Sequence, residues 1–94
     1  MIGETQYLMV IAFDISDNKK RRKITKFLLA RGTRVQRSVF ECKGNNAFRK
    51  KLMDYFSDFY GDGDNIRMYT LQADAEVISQ GEIMEDELED FYIL

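Results

Sequence analysis

Seven consecutive apolar residues, Tyr7-Leu8-Met9-Val10-Ile11-Ala12-Phe13, run without interruption into Asp14. A run of this length and composition is a buried strand, because a strand with one wet face would alternate apolar and polar residues. The strand is expected over about Gln6 to Asp14. Asp14 closes it where a strand emerges at a sheet edge that ligands can reach. A Lys/Arg cluster, Lys19 to Lys23, starts shortly afterwards. A carboxylate beside a basic helix start points to a metal or phosphate site.

The 94 residues make one small domain, spanning 1–94, with residues 72–94 an acidic C-terminal extension that ends in a strand. Such a chain buries a modest share of its surface, so oligomerisation is a natural route to stability. Apolar residues at 45% and aromatics at 13% are enough for a core. The single Cys42 cannot form an internal disulfide, and no signal peptide or membrane-length apolar stretch is visible. A reducing cytoplasm is the expected compartment, with no membrane association.

The net charge of −2 conceals a strong asymmetry. Residues 1–53 carry 13 Lys/Arg against Glu4, Asp14, Asp17 and Glu41, a net of +9. Residues 54–71 are −3 and residues 72–94 are −8, with no base at all in the latter. The basic half can meet a polyanion while the acidic tail lies elsewhere or covers it.

After the first strand, Ser16 or Asp17 can cap a helix by satisfying its first free amides. Ile24, Phe27, Leu28 and Arg31 recur at helical spacing, and the apolar members form one face. Gly32 is placed to end the helix in the left-handed conformation. Arg21 shares a row with Ile24 and Leu28 and should turn toward the sheet edge. Lys19, Lys20, Arg22, Lys23 and Lys26 fall mostly on the outer side. Thr33 to Lys43 is strand-like, but neither alternating face is clean. A bulge or kink near Arg37-Ser38 resolves the conflict and divides the run into two strands.

Gly44-Asn45-Asn46 is a turn and a second cap. A second helix is expected from about Ala47 to Tyr60, docked by Phe48, Leu52, Tyr55, Phe56 and Phe59. Gly61-Asp62-Gly63-Asp64 is a tight loop whose acids lack the later ligands of a calcium site. Ile66 to Leu71 is a strand with Ile66, Met68 and Thr70 opposite Arg67, Tyr69 and Leu71. A further short strand is expected at Glu76 to Ser79. The acidic stretch Glu82 to Asp90 leads to Phe91-Tyr92-Ile93-Leu94, an apolar end suited to adding to a sheet edge, its own or a partner's. The order predicts an α/β (α+β) ferredoxin-like sandwich: an antiparallel sheet with two helices on one face and C-terminal strand(s) used in dimerisation.

With no His and one Cys, Ser-His-Asp and Cys-His catalysis and His/Cys zinc sites are excluded. No Gly-rich phosphate loop of a standard type is present. Carboxylate chemistry with a hard cation, Mg²⁺ or Mn²⁺, remains. Asp14 alone is a poor metal site, but a two-fold dimer brings the same residue from each chain to one axis. The plainer alternative is that Asp14 caps a turn or pairs with Arg21. Arg21, Arg34 and Arg37 suit phosphate because guanidinium forks match its geometry. No base-reading signal is present, so binding should be backbone-driven and salt-dependent.

Phe13-Asp14-Ile15-Ser16-Asp17, then Arg21-Arg22-Lys23, then Gly32-Thr33-Arg34-Val35-Gln36-Arg37-Ser38-Val39-Phe40-Glu41 resembles the CRISPR-associated Cas two family. Ile66-Arg67-Met68-Tyr69-Thr70-Leu71 also fits, so the resemblance covers about residues 7–71; the tail agrees in length and character. The resemblance implies a ferredoxin-like homodimer of bacterial or archaeal cytoplasm, working in spacer acquisition, whose C-terminal strands exchange or extend across sheets. It implies a Mg²⁺ site formed by Asp14 of both chains, with Asp14 as the catalytic residue. It implies association with the CRISPR integrase subunit, the dimer acting as a bridge for double-stranded DNA. Members are described as metal-dependent endonucleases on RNA or DNA, which adds single-stranded RNA as a substrate class. Arg21, Lys23, Arg34, Ser38 and Phe40 match family positions near the cleft. Phe13 stands where the family usually has Tyr. Arg37 replaces an aromatic or smaller residue and adds charge there, so it joins the nucleic-acid-binding set.

Three readings follow from these features. One is a dimeric Mg²⁺-dependent phosphodiesterase. Another is a structural DNA-bridging subunit that needs the basic surface and the dimer but not Asp14. The third is a ligand-binding regulatory module of ferredoxin-like shape.

Overall fold

In the computed structural model, which describes residues 5–59, 61 and 63–81, the elements run in the order β1 (Tyr7–Asp14), α1 (Asn18–Leu29), β2 (Thr33–Gln36), β3 (Val39–Gly44), α2 (Asn46–Phe56) and β4 (Asn65–Gln72). The sheet order is β2-β3-β1-β4, and β1 pairs antiparallel with β3 on one side and β4 on the other. This is the ferredoxin-like topology expected from the element order. The apolar run earns its central place physically: a strand flanked on both edges needs every backbone amide and carbonyl satisfied by neighbours, and it has no wet edge to decorate.

Alternation along β1 sets the two faces. Met9, Ile11 and Phe13 turn toward the helices and join Ile24 and Leu28 of α1, Leu52 and Phe56 of α2, and Phe40 and Cys42 of β3 in one core. The register places Ile66 and Met68 of β4 against this core beside Phe13 and Ile11. Leu8, Val10, Ala12 and Asp14 belong to the opposite face, with Arg67, Tyr69 and Leu71 of β4. No described helix packs there: Tyr69 is 50% and Leu71 42% exposed.

Asp17, not Ser16, caps α1: its Oδ2 accepts the Lys20 amide at 2.8 Å. Asn45 caps α2 by accepting the Phe48 amide at 2.9 Å. The second helix stops at Phe56 rather than reaching Tyr60, which lies outside the described residues. Phe59 still packs into the core from the turn that follows, so the aromatic stripe outlasts the helix that was expected to carry it. The divided strand is as expected: β2 ends at Gln36, Arg37-Ser38 is the turn, and the register slips between Arg34 and Gln36.

Two expectations are corrected. Gly32 does not adopt a left-handed conformation; α1 ends at Leu29 with Ala30 as its cap, and the positive-φ residues described are Gly63 and Gly81. Glycine is needed at 32 for space, because a Cβ there would collide with the Glu41 carbonyl oxygen and the Cys42 sulfur of β3. The segment Glu76–Ser79 forms no strand: residues 75–80 have no regular structure, and Ile78 is 79% exposed. It meets no described strand edge to which its backbone can add, and short strands in isolation are not stable. Both Glu82–Asp90 and the apolar end Phe91–Leu94 lie outside the described residues. No helix among the described residues is long and apolar enough to cross a membrane.

Gly32→Ala should lower stability by about 2–3 kcal/mol, the upper range for overpacking where backbone cannot yield. An unchanged urea midpoint would contradict the close approach. Burial pushes the Cys42 thiol from 9.0 up to about 11, with the Arg31 charge partly opposing. The unfolded chain therefore loses this proton before the folded one does, and stability falls as pH rises from 9.0 toward about 11. Urea midpoints at about pH 8 and about pH 10 should show the decline, with a smaller decline in Cys42→Ala.

Candidate nucleic-acid interface

Asp14 stands at the mouth of the central strand. It lies opposite Asn65 in register, and one residue earlier the Phe13 amide donates to the Ser38 carbonyl at 3.0 Å. That bond draws the β2–β3 turn to the same end of the sheet. The loop before β4 converges there too: Asp64 Oδ1 accepts from the Ser16 amide at 3.2 Å and the Ser16 hydroxyl at 3.4 Å, while its Oδ2 accepts the Gly61 amide at 3.3 Å. Three connections therefore meet around the end of β1.

The acids at this end divide by task. Asp17 is consumed by the cap and Asp64 by the loop. The Asp14 carboxylate is exposed and accepts no hydrogen bond from a described residue. It neither caps the turn nor pairs with Arg21. The Arg21 guanidinium instead donates to the Ile15 carbonyl at 2.9 Å and the Ser16 carbonyl at 3.3 Å, and it also bonds Asn18 Oδ1. Arg21 thus turns toward the sheet edge as its helical row implies, and it ties down the backbone that follows Asp14.

Arg34 is 5% exposed. Its Nε and Nη2 both donate to the Arg37 carbonyl, at 3.1 and 2.8 Å, so the guanidinium fork closes the hairpin turn. Its charge lies 5.7 Å from the centre of the Phe40 ring. Phe40 is fully buried at 0% exposure and stacks on Phe13 with ring centres 6.1 Å apart. Phe40 is therefore no platform for a nucleotide; alternation turns it into the core, where it supports Arg34 from beneath. Ser38 is half-buried, and its carbonyl holds Phe13. Arg37 is exposed at the turn. Lys23 is exposed on α1 with its ammonium 5.8 Å from the Phe59 ring centre.

Arg21, Arg22, Thr25, Arg34 and Arg37 line a small cavity of about 30 Å³ between α1 and the β2–β3 hairpin. Arg22 was expected on the outer side of α1. It is half-buried, and its Nε is sealed from solvent. Thr25, one turn later, is buried as well, so the inward arc of α1 is wider than its apolar row. A polar residue inside that arc was the signal for Arg22, and hydropathy patterning does not register it.

The fit of a divalent ion rests on what one chain offers. No group of three or more His, Cys, Asp or Glu side chains that could hold a metal occurs among the described residues. Asp14 is one carboxylate, and its two acidic neighbours are engaged. Mg²⁺ accepts as few as one or two carboxylates if waters and phosphate oxygens complete its shell. One chain therefore presents a single carboxylate to such an ion.

The family model for CRISPR-associated protein Cas2 matches residues 7–76. The chain belongs to this family. A CRISPR-associated endoribonuclease Cas2 of Mycobacterium tuberculosis is 37% identical over 73 residues, covering 78% of this chain and 65% of that relative. The chain thus spans just under two thirds of that relative's length. A Cas2 endoribonuclease of Chloroflexus aurantiacus is 37% identical over 93 residues, covering 90% of this chain and 97% of the relative. The crystal structure of a Thermus thermophilus protein, described only as hypothetical, matches with a TM-score of 0.68 at 32% identity, covering 85% of this chain and 99% of that one. Residues 7–76 hold all of β1 to β4, Asp14 and the four arginines of the cavity, so Cas2 membership extends across the whole interface just described.

Arg34→Lys tests the hairpin closure. An ammonium offers no planar fork, so one of two donors to the Arg37 carbonyl is lost. The expected cost is about 1–2 kcal/mol in chemical denaturation, the scale of one charged hydrogen bond. A variant as stable as the parent would show that the fork does not hold the turn.

Proposed function

We propose that this protein is a CRISPR-adaptation subunit that works as a homodimer, binds duplex DNA as a bridge beside the integrase subunit, and uses Asp14 of both chains to hold one Mg²⁺ for phosphodiester cleavage of RNA or DNA. The observation that carries this reading is the exposed, unengaged Asp14 at a sheet end where arginines converge. A divalent ion shared there would acidify a bound water and neutralise charge developing on a phosphodiester. Mn²⁺ would serve the same ligands. The chain's own contribution is to hold Asp14 still, through the Phe13–Ser38 bond and the Arg21 clamp on Ile15 and Ser16. Lys23, Arg34, Arg37 and Ser38 belong to the edge that meets the nucleic-acid backbone, with Phe40 acting beneath them.

Self-association is supported by the β4 side of the open sheet face. Tyr69 at 50% and Leu71 at 42% exposure are apolar surface that a second copy would cover, supplying the same surface in return. The names of the relatives support endonuclease chemistry. The reading of a DNA-bridging subunit without chemistry has its own support: a single chain offers one carboxylate, and the basic edge needs no ion to grip phosphates. Nothing in the arrangement favours a regulatory small-molecule module.

Light scattering should report twice the chain mass. Asp14→Ala should lower Mg²⁺-dependent cleavage of RNA and DNA by about 100-fold or more, the scale of losing metal activation of water, while leaving duplex affinity unchanged or slightly raised. Cleavage that survives the substitution would remove Asp14 from the chemistry. Retained spacer integration by Asp14→Ala, with integration lost in Arg37→Ala, would select the bridging role. Arg37→Ala should also reduce the slope of log affinity against log salt by about 1.

A further inference from the structure

Lys19, Arg22, Lys23 and Lys26 stand at i, i+3, i+4 and i+7 along α1 and line a shallow groove of about 290 Å³. No carboxylate lines this groove among the described residues. α1 holds six bases and no acid, so no opposite charge one turn away offsets them within the helix. The first turn is the least favourable place for such charge, because the helix macrodipole already makes that end positive and favours acids there. The nearby Asp17 spends its carboxylate on the Lys20 amide as the helix cap and leaves the stripe uncovered.

The same chain carries the matching charge. Residues 82–90, which lie outside the described residues, hold Glu82, Glu85, Asp86, Glu87, Glu89 and Asp90 and no base. Glu82, Glu85, Asp86 and Glu89 repeat the i, i+3, i+4, i+7 spacing of the basic stripe with the sign reversed. Topology puts this segment within reach. β1 and β2 each pair antiparallel with β3, so they run parallel, and α1 returns the chain from the Asp14 end of the sheet to the Tyr7 end. β4 also finishes at the Tyr7 end, where Gln72 faces Tyr7. Lys26, in the last turn of α1, lies toward that same end. Residues 73–81 extend to at most about 30 Å, and a four-stranded sheet is roughly 15 Å across. Lys19 and Lys26 are about 10 Å apart along the helix axis, a length that residues 82–90 cover.

We propose that residues 82–90 dock along the Lys19–Arg22–Lys23–Lys26 stripe of their own α1 and act as a polyanion built into the chain. A segment held by a short linker is presented to its site at about millimolar concentration, so weak contacts suffice. Exposed charge pairs are individually weak and screened by salt, so the cover yields to high salt or to a stronger polyanion. The contact stands on the charge pattern alone. Its consequence rests on the nucleic-acid reading above: the segment occupies part of the basic edge until nucleic acid displaces it, which raises the threshold for weak, non-specific polyanions.

Carbodiimide coupling of the full-length protein tests the contact, since it joins a carboxylate to an amine where the two already touch. Mass spectrometry should find Lys19, Lys23 or Lys26 joined to acids of residues 82–90, with a yield that falls at about 0.5 M salt. Coupling of these acids mainly to lysines off the stripe, such as Lys50 and Lys51, or to none, would overturn the inference. Isotope-labelled and unlabelled chains refolded together separate the sources. Stripe cross-links within chains of one label support same-chain docking. Cross-links joining labelled to unlabelled chains give the groove to a second copy's segment and overturn it.

Duplex binding reads the consequence. Neutralising the segment (Glu85→Gln, Asp86→Asn, Glu87→Gln, Glu89→Gln and Asp90→Asn together) should tighten duplex binding about tenfold at low salt. The gain should largely vanish in a Lys19→Gln/Lys26→Gln background, because the segment then has little stripe to cover. Circular dichroism establishes that the variants are folded. An equal gain in both backgrounds means that the acids act through net charge only, and it defeats the inference. Stripe cross-links without any duplex binding keep the contact and remove the nucleic-acid reading. Duplex binding with no stripe cross-links does the reverse.

Discussion

The structure depends on a strand that has neighbours along both edges. Because β1 pairs with β3 and β4 through nearly its whole length, its last residue cannot wander, and the chain must leave the sheet at a fixed point. Everything of functional interest is arranged around that exit. The Phe13 amide reaches across to Ser38, Asp64 reaches back to Ser16, and Arg21 reaches down from α1 to the carbonyls of Ile15 and Ser16. Each of these bonds is modest alone, about 0.5–1.5 kcal/mol for a neutral pair and more for a charged donor. Together they fix three loops around one exposed carboxylate.

Charge is distributed by sheet face. Alternation sends Asp14 to the open side, while Arg34 follows Phe40 and Cys42 to the helix-covered side. Arginine can be tolerated there because its planar fork is satisfied by a backbone carbonyl and its charge lies over an aromatic ring. The acidic and basic groups are thus close along the chain and at the same end of the sheet, yet they do not quench one another. An Arg21–Asp14 pair would have occupied both groups; apart, the carboxylate is left exposed and the guanidinium holds the Ile15 and Ser16 carbonyls.

Much of the fold was legible in particular residues. The unbroken run announced a buried strand, which the topology places inside the sheet, and the conflict of faces near Arg37-Ser38 announced the hairpin that the turn confirms. The 3.6-residue rows of Ile24/Leu28 and Leu52/Phe56 announced both helices. Gly32 was read correctly as special and for the wrong reason. Local conformational rules favour a left-handed cap, whereas the constraint is a non-local approach of β3 that no helix-end pattern encodes. The stretch at Glu76–Ser79 has strand-like residues, but strand propensity is realised only against a partner edge. The site was partly legible in the same way. Asp14, Arg21, Arg34 and Arg37 carried their chemistry on the surface of the sequence, while Arg22 was hidden among lysines whose charge it shares.

The sequence by itself determined the two helices, the buried strand β1 and the divided hairpin strands, and the residue types available for chemistry. These follow from local periodicity and from the absence of histidine. Tertiary structure decided that Asp64 is spent and Asp14 left over, because the two are identical in type and differ only in what the fold brings within about 3 Å of each, whereas Asp17 is spent on a local helix cap. It also decided that Arg22 faces inward. Helical rows rank residues by apolarity, but the arc that is buried is set by the hairpin lying across α1, and that contact joins positions far apart in the chain.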